Sequence, residues 1–348
     1  MKRLMLSTAF ALSALTLAGS AWAQRYKVVE LPLERTPDEV TSVALNEVGG
    51  ATVNEYWVEF RNAAEVCGPS GCQRMPLLPN HGKDPWTEAN DINDAGAVAG
   101  TTSERGLRRA VLLQDGVLTN LGPLADGKKL ESIAQDINNL GDVVGYGQIQ
   151  EEKGWRGFHW KDGVMTILPT LGGSYGRAVA INDAGVTVGV AKTANDRDHA
   201  FMLKDGTITD LGTLGGKESF ASAINAHGDV VGTSDLAPPG NRTAFLYRGG
   251  VMSSLGALTG HAYSGATGIN DAGEIVGVSD RSLNIGDERG FLHDTQGMRD
   301  LNDLLRASDR KLYTVKAAYG INNRGDIAAR AKRKADRAEV AVILKRID

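Results

Sequence analysis

The chain has 348 residues, with 38 basic and 42 acidic side chains, and so a formal net charge of −4. That is an ordinary solubilising value and argues against a general nucleic-acid binder. After the first two dozen residues no apolar run is long enough to span a bilayer.

The chain opens on a leader. Lys2 and Arg3 are followed by the apolar run "LMLSTAFALSALTLAG" and by Ala21-Trp22-Ala23, a small-x-small cleavage site. This is the three-part pattern of a secretory signal peptide over residues 1–23. The expected mature chain, residues 24–348, is a soluble protein of the periplasm or the extracellular space. No cysteine follows the cleavage site to take a lipid anchor.

The only two cysteines, Cys67 and Cys72, stand in "CGPSGC". In an oxidising compartment this spacing suits a small loop closed by a disulfide. The alternative is half of a metal site, but no second Cys/His pair stands nearby at zinc spacing.

From there the chain repeats itself. Ile-Asn-x-x-Gly recurs with anchors at Ile92, Ile137, Ile181, Ile224, Ile269 and Ile321, and a weaker copy begins at Leu45. The steps are 47, 45, 44, 43, 45 and 52 residues. The fixed pairs are Asn46/Gly49, Asn93/Gly96, Asn138/Gly141, Asn182/Gly185, Asn225/Gly228, Asn270/Gly273 and Asn322/Gly325. Asn starts a turn by bonding nearby backbone, and Gly three residues on takes the left-handed conformation at little cost. A type I turn followed by such a residue is a common hairpin tip with a bulge. The two residues between vary, and they are expected to point outward. The Asp of "INDAG" reads as a turn residue, because no copy continues as a calcium loop.

Around each tip the pattern gives four strands. In the fourth copy these are "YGRAVAIN" (a), "GVTVGVA" (b), "HAFMLKD" (c) and "GTITDLGTL" (d), with c and d joined by the hairpin signal Asp205-Gly206. Four short antiparallel strands per repeat predict an all-β fold, a β-propeller of four-stranded blades. Seven blades match the seven anchors; six or eight are the alternatives, and an open β-solenoid is the rival architecture. Strand a is expected nearest the axis, because Ala89, Ala134, Ala178, Ala221, Ala266 and Ala318 all stand three before the anchor. The last copy lacks a strand d. "YKVVELP" near the N-terminus supplies one, so Val28–Leu31 should pair with Val340–Leu344 and close the ring. "MRDLNDLLRAS" near residue 300 is the one stretch with helical character.

"HAFMLKDGTITDLGTLGG", with "INDAG" and "VVG", resembles the HAF repeat of bacterial exported proteins. The full triplet is His199-Ala200-Phe201, with looser forms at Thr243, Gly157 and Gly290. The resemblance implies an exported protein and brings no established reaction or catalytic residue.

Loops b–c and d–a vary in length and charge and share one face, where binding usually sits on a rigid scaffold. A ligand surface is expected there, near the axis, with Trp86, Trp155 and Tyr263 in or beside those segments. The other reading of these aromatics is that they cap hydrophobic edges between blades. One departure from the repeat is sharper. The residue before the anchor is Ala or Gly in five copies but Asp91 and Asp136 in two adjacent ones. Facing each other near the channel, they would share a divalent cation or polarise a water. The alternative is that they meet channel water or bond neighbouring backbone amides.

No nucleophile elbow, zincin motif, P-loop or dinucleotide fingerprint is present. The expected protein is a monomeric, non-enzymatic binding or scaffold protein of the cell envelope, without a required cofactor. Its partner would be a glycan or an envelope protein. The contrasting expectation is a propeller enzyme, a lyase or hydrolase of glycans or esters, with or without a metal.

Overall fold

A computed structural model describes residues 25–34, 37–57, 61–83, 85–125, 129–149, 154–237, 240–282 and 287–347. The expected signal peptide, and parts of the b–c loops after Gln148, Leu236 and Arg281, lie outside the described residues. The described residues form seven four-stranded antiparallel sheets, which makes the fold a seven-bladed β-propeller. Blades 1 to 6 span residues 39–74, 87–120, 132–167, 172–210, 215–256 and 263–300. Blade 7 takes strands a, b and c from residues 313–346 and strand d from Tyr26–Glu30.

Blade 4 has the strands its pattern predicts: Gly172–Ile181, Thr187–Thr193, Asp198–Lys204 and Thr207–Asp210. Strand d is shorter than the sequence suggested. Leu211 leaves the ladder, stays buried, and donates its N–H to the Ala200 carbonyl at 2.9 Å. The c–d turn has positive φ at both Asp205 and Gly206, the mirror-image turn that suits strand twist.

Each member of the His-Ala-Phe triplet has a structural job. Phe201 is buried over Gly189 of strand b, where a Cβ would collide with the Arg177 carbonyl oxygen and stand 2.9 Å from the Phe201 ring. The glycine lets the ring lie flat on the sheet, and burying such a ring is worth about 1.5–3 kcal/mol. The Ala200 N–H donates to Ser219 Oγ of the next blade at 2.9 Å. His199 Nδ1 meets the Asp210 carboxylate at 2.9 Å on the outer side of the blade. Hydrophobic clusters lie between neighbouring blades, as where Ala180 and Val188 of blade 4 pack with Ala221, Val230 and Phe245 of blade 5.

Ring closure follows the predicted pairing. Tyr26–Glu30 is antiparallel to Glu339–Arg346, with Val28 opposite Leu344 and Val29 opposite Ile343. Leu31 adds one more bond to the Ala341 carbonyl at 3.0 Å. The longest repeat step holds two short helices, Leu301–Leu304 and Ala307–Leu312. The stretch read as helical starts instead in strand d of blade 6, Gly297–Asp300, and takes in the first helix and only the start of the second. The two helices clamp the closing strand. Asp309 Oδ2 accepts from the Val28 N–H at 2.7 Å, and Leu301, Leu304 and Leu305 pack in one core with Tyr26.

Cys67 and Cys72 form a disulfide across strands c and d of blade 1. A loop this small removes modest chain entropy, so opening it by Cys67→Ser with Cys72→Ser should cost about 2 kcal/mol. Chemical denaturation of both proteins checks this, and a loss well above that value would mean the bridge holds more than its own hairpin.

Candidate functional site: the axial cavity

The turns that end strand a build the hub. In six copies the Gly N–H donates to its Asn carbonyl three residues back: Gly96 to Asn93, Gly141 to Asn138, Gly185 to Asn182, Gly228 to Asn225, Gly273 to Asn270 and Gly325 to Asn322, at 2.9–3.1 Å. All six have φ between +75° and +84°, and Gly49 in the weaker first copy has φ +93°. That is the left-handed conformation the turn pattern requires, and a side chain there would strain the backbone. None of these glycines lines the axial cavity. Gly96, Gly141, Gly228, Gly273 and Gly325 thus shape the hairpin tips, like Gly185, and lie outside the cavity wall.

The Asn side chain does two things. Its Oδ1 accepts from the backbone N–H four residues on, as Asn182 from Val186 at 3.0 Å. Its Nδ2 donates across to the Asn carbonyl of the next blade. These donations run Asn46→Asn93→Asn138→Asn182→Asn225→Asn270→Asn322 and back to Asn46, at 2.8–3.2 Å. Seven buried amides thus close a hydrogen-bonded hoop around the axis.

The residue after each Asn does not simply point outward, which corrects the sequence expectation. Asp94, Asn139 and Asp183 accept from the N–H of Glu47, Asp94 and Asn139 in the preceding blades at 2.8–2.9 Å. Asp271, Asn323 and Glu47 accept likewise from Ala226, Asp271 and Asn323 at 2.7–2.9 Å. At Ala226 the side chain has no acceptor, and this second hoop is interrupted.

Above the hoops, strand a carries a bulge. In blades 2 to 7 its register against strand b slips between the positions three and one before the anchor, as at Ala89/Asp91 and Ala134/Asp136. A bulge re-aims side chains that a regular strand would send to opposite faces. Two consecutive residues per blade therefore line the axis, including Asn90 with Asp91 and Gln135 with Asp136. They bound a cavity of about 520 Å³ that reaches the a–b turns.

Asp91 and Asp136 both lie in its wall and hydrogen-bond each other. Both are half-buried, open to the cavity on one side. Asp136 Oδ2 also accepts from the Ile181 N–H at 2.6 Å, and Asp91 Oδ2 lies 3.4 Å from the Ile137 nitrogen. Each carboxylate thus meets a backbone nitrogen of the next blade. Burial first, and then the Asp136 charge, push the Asp91 carboxyl well above the ordinary carboxylate range. Burial raises Asp136 too, against the opposing Asp91 and backbone hydrogen bonds. Two carboxyl groups so placed, each raised above its ordinary range, favour sharing one proton.

This proton makes a stability prediction. The unfolded chain releases it above pH ~4, while the folded chain keeps it higher, so stability falls as pH rises between the two values. Asp91→Asn keeps the shape and a donor towards Asp136 but does not titrate. Its Tm should exceed that of the parent by a few degrees at pH 8, with the gap closing as pH falls towards 4. A constant gap across a pH series of melts would mean that no proton is shared.

The aromatic residues picked out from the sequence lie elsewhere. Trp86 has the Arg108 guanidinium 5.8 Å from its ring centre, and Trp155 meets Tyr146 edge-on at 5.4 Å. Tyr263 begins strand a of blade 6. All three are half-buried and none lines the cavity. Among the described residues no three His, Cys, Asp or Glu side chains converge as a metal site. No helix among them is long and apolar enough to cross a membrane.

No family model and no curated protein matches this chain. Among solved structures, a streptogramin B lyase superposes with TM-score 0.53 and 10% identity, over 93% of this chain and 99% of the lyase. A Mycobacterium tuberculosis puromycin-hydrolyzing peptidase gives 0.53 and 12% identity over 88% of this chain and 53% of its own. A Pyrococcus horikoshii acylaminoacyl peptidase gives 0.53 and 10% over 89% and 52%. The chain spans about half the length of these peptidases. At such identities the likeness is one of fold, and a fold hosts many functions. Fold and site together define the class: a seven-bladed β-propeller with a carboxyl pair in its axial cavity.

Proposed function

We propose that this chain is an exported, monomeric binding propeller of the HAF-repeat type, and that its ligand enters the axial cavity. The observation that carries this reading is the cavity itself. It has the volume of a small-molecule site, and it is lined by side chains that six bulges turn inward. Its wall is asymmetric, with carboxyl and amide groups on blades 2 and 3 and Val179, Ala180, Ala223 and Gly268 beyond them. That contrast is what orients a ligand. The reading moves the ligand from the variable loop face to the end of the axis at the a–b turns. Export rests on the leader sequence and is supported by the disulfide.

The test is a thermal-shift screen of a soluble metabolite and oligosaccharide library against the mature protein and an Ala223→Phe variant that fills the cavity. The expected result is a ligand that raises the Tm of the parent and leaves the variant unmoved. A glycan array with calcium present and absent covers the loop face. Array binding that survives Ala223→Phe and is lost with Trp155→Ala would put the ligand on the loop face instead.

A further inference from the structure

The cavity also has a sign. Its wall holds Asp91 and Asp136, with Glu47, Asp94 and Asp183 at the turn end. Among the described residues no Lys, Arg or His lines it, Arg324 standing near Glu47 outside the wall. Acidic groups alone would not make a site; here they line a concave volume, open to solvent, that also offers apolar wall. We propose that the cavity takes a small aliphatic ammonium compound, of the diamine or polyamine class. The inference rests on the cavity being the ligand site.

The chemistry follows from where each group stands. One ammonium donates to the Asp91–Asp136 pair, which accepts in several directions and carries negative charge in a partly desolvated setting, where charge-assisted bonds are strongest. The methylene chain lies against Ala180, Ala223, Gly268 and Val179, small or apolar groups that leave it room. The second ammonium reaches the turn end, where Glu47, Asp94 and Asp183 stand. Asp94 is three residues beyond Asp91, a separation of at most ~10 Å along the chain, within the span of an extended diamine. A bare metal ion is the poorer match, because no three His, Cys, Asp or Glu side chains converge among the described residues.

The experiment is calorimetric titration of the mature protein with putrescine, spermidine and calcium chloride at low salt. Either amine should bind, more weakly as salt rises. Asp91→Asn with Asp136→Asn should weaken binding at least tenfold, and Glu47→Gln with Asp183→Asn should do so for the diamine more than for a monoamine of equal length. Asp91→Asn, Asp136→Asn and Glu47→Gln keep the acceptor that the backbone N–H bonds use. Asp183→Asn keeps the acceptor for the Asn139 N–H but gives up the bond from Asn139 Nδ2 at 3.1 Å, and a melt of each variant verifies its fold. Calcium binding with no amine binding overturns the class. Failure of both amines, with a neutral or anionic screen hit that Ala223→Phe abolishes, overturns this inference and leaves the cavity reading standing. Amine binding unchanged by Ala223→Phe overturns both.

Discussion

Removal of residues 25–31 should leave a chain that no longer folds to a soluble propeller. These residues are strand d of blade 7, and the two ends of the chain meet nowhere else in the same sheet. Without them, Glu339–Arg346 becomes an open edge carrying Val340, Val342 and Leu344, all buried in the intact ring. An exposed apolar edge of that kind pairs with other chains. The loss reaches further than one ladder. Tyr26 is fully buried with Leu304 and Leu344, and its hydroxyl accepts from Arg346 at 3.3 Å. Asp309 loses the Val28 N–H, and Tyr313 loses the Glu30 carboxylate at 3.0 Å. Burying Tyr26 is worth about 1.5–3 kcal/mol, and the partly buried Val28 and the unmade ladder add to it, against a total stability of ~5–15 kcal/mol. Gel filtration and circular dichroism read the result. A monomer with native strand content after the truncation would mean that the ring closes without its N-terminal strand. The point substitution Tyr26→Ala should cost about 3–5 kcal/mol and leave a foldable chain, which separates loss of the packed ring from loss of the strand.

Closure was readable because it is an accounting problem in one dimension. Seven anchors required seven d strands, the last copy lacked one, and "YKVVELP" had the right alternation to supply it. The hairpin tips were readable because turn chemistry is local: Gly96, Gly141 and their counterparts take the conformation that their spacing from Asn demands. What could not be read by local reasoning is whatever crosses from blade to blade. The residue after each Asn varies among Glu, Asp, Asn and Ala, and only the neighbouring blade reveals that six of the seven accept the same bond. The Asn hoop did leave a trace. Asp or Ser would serve a turn as well, yet all seven copies have Asn, the one of the three that both accepts at Oδ1 and donates at Nδ2. Asp91 and Asp136 stood out as departures from the repeat, and the structure joins them. That consecutive residues such as Asn90 and Asp91 both face the cavity depends on a bulge one residue wide, for which the alternation of strand a gives no signal.

The hoop makes the second large effect a question of which substitution at Asn182 is tolerated. If the residue served only its own turn, Asn182→Asp would be nearly harmless and Asn182→Ala a modest loss. In the hoop both are costly, for different reasons. Asn182→Ala strips the acceptor from the Ala184 and Val186 N–H groups, at 3.1 and 3.0 Å, and the donor from the Asn225 carbonyl at 3.0 Å. The Val186 N–H is then buried without a partner, which costs about 1–3 kcal/mol. The Asn225 carbonyl keeps the Gly228 N–H and the exposed Ala184 N–H turns to water, so these two lost bonds add only about 0.5–1.5 kcal/mol each and the sum should be about 3 kcal/mol. Asn182→Asp keeps the acceptor but turns a carboxylate onto the Asn225 carbonyl, oxygen against oxygen. At neutral pH it should be at least as destabilised as the Ala variant. Protonation restores a donor, so its stability should recover towards that of the parent as pH falls, a trend the Ala variant cannot share. Denaturant melts of the three proteins between pH 4 and 8 decide the matter. A neutral Asn182→Asp at pH 7, or parallel pH profiles for both variants, would reduce the hoop to seven independent turns.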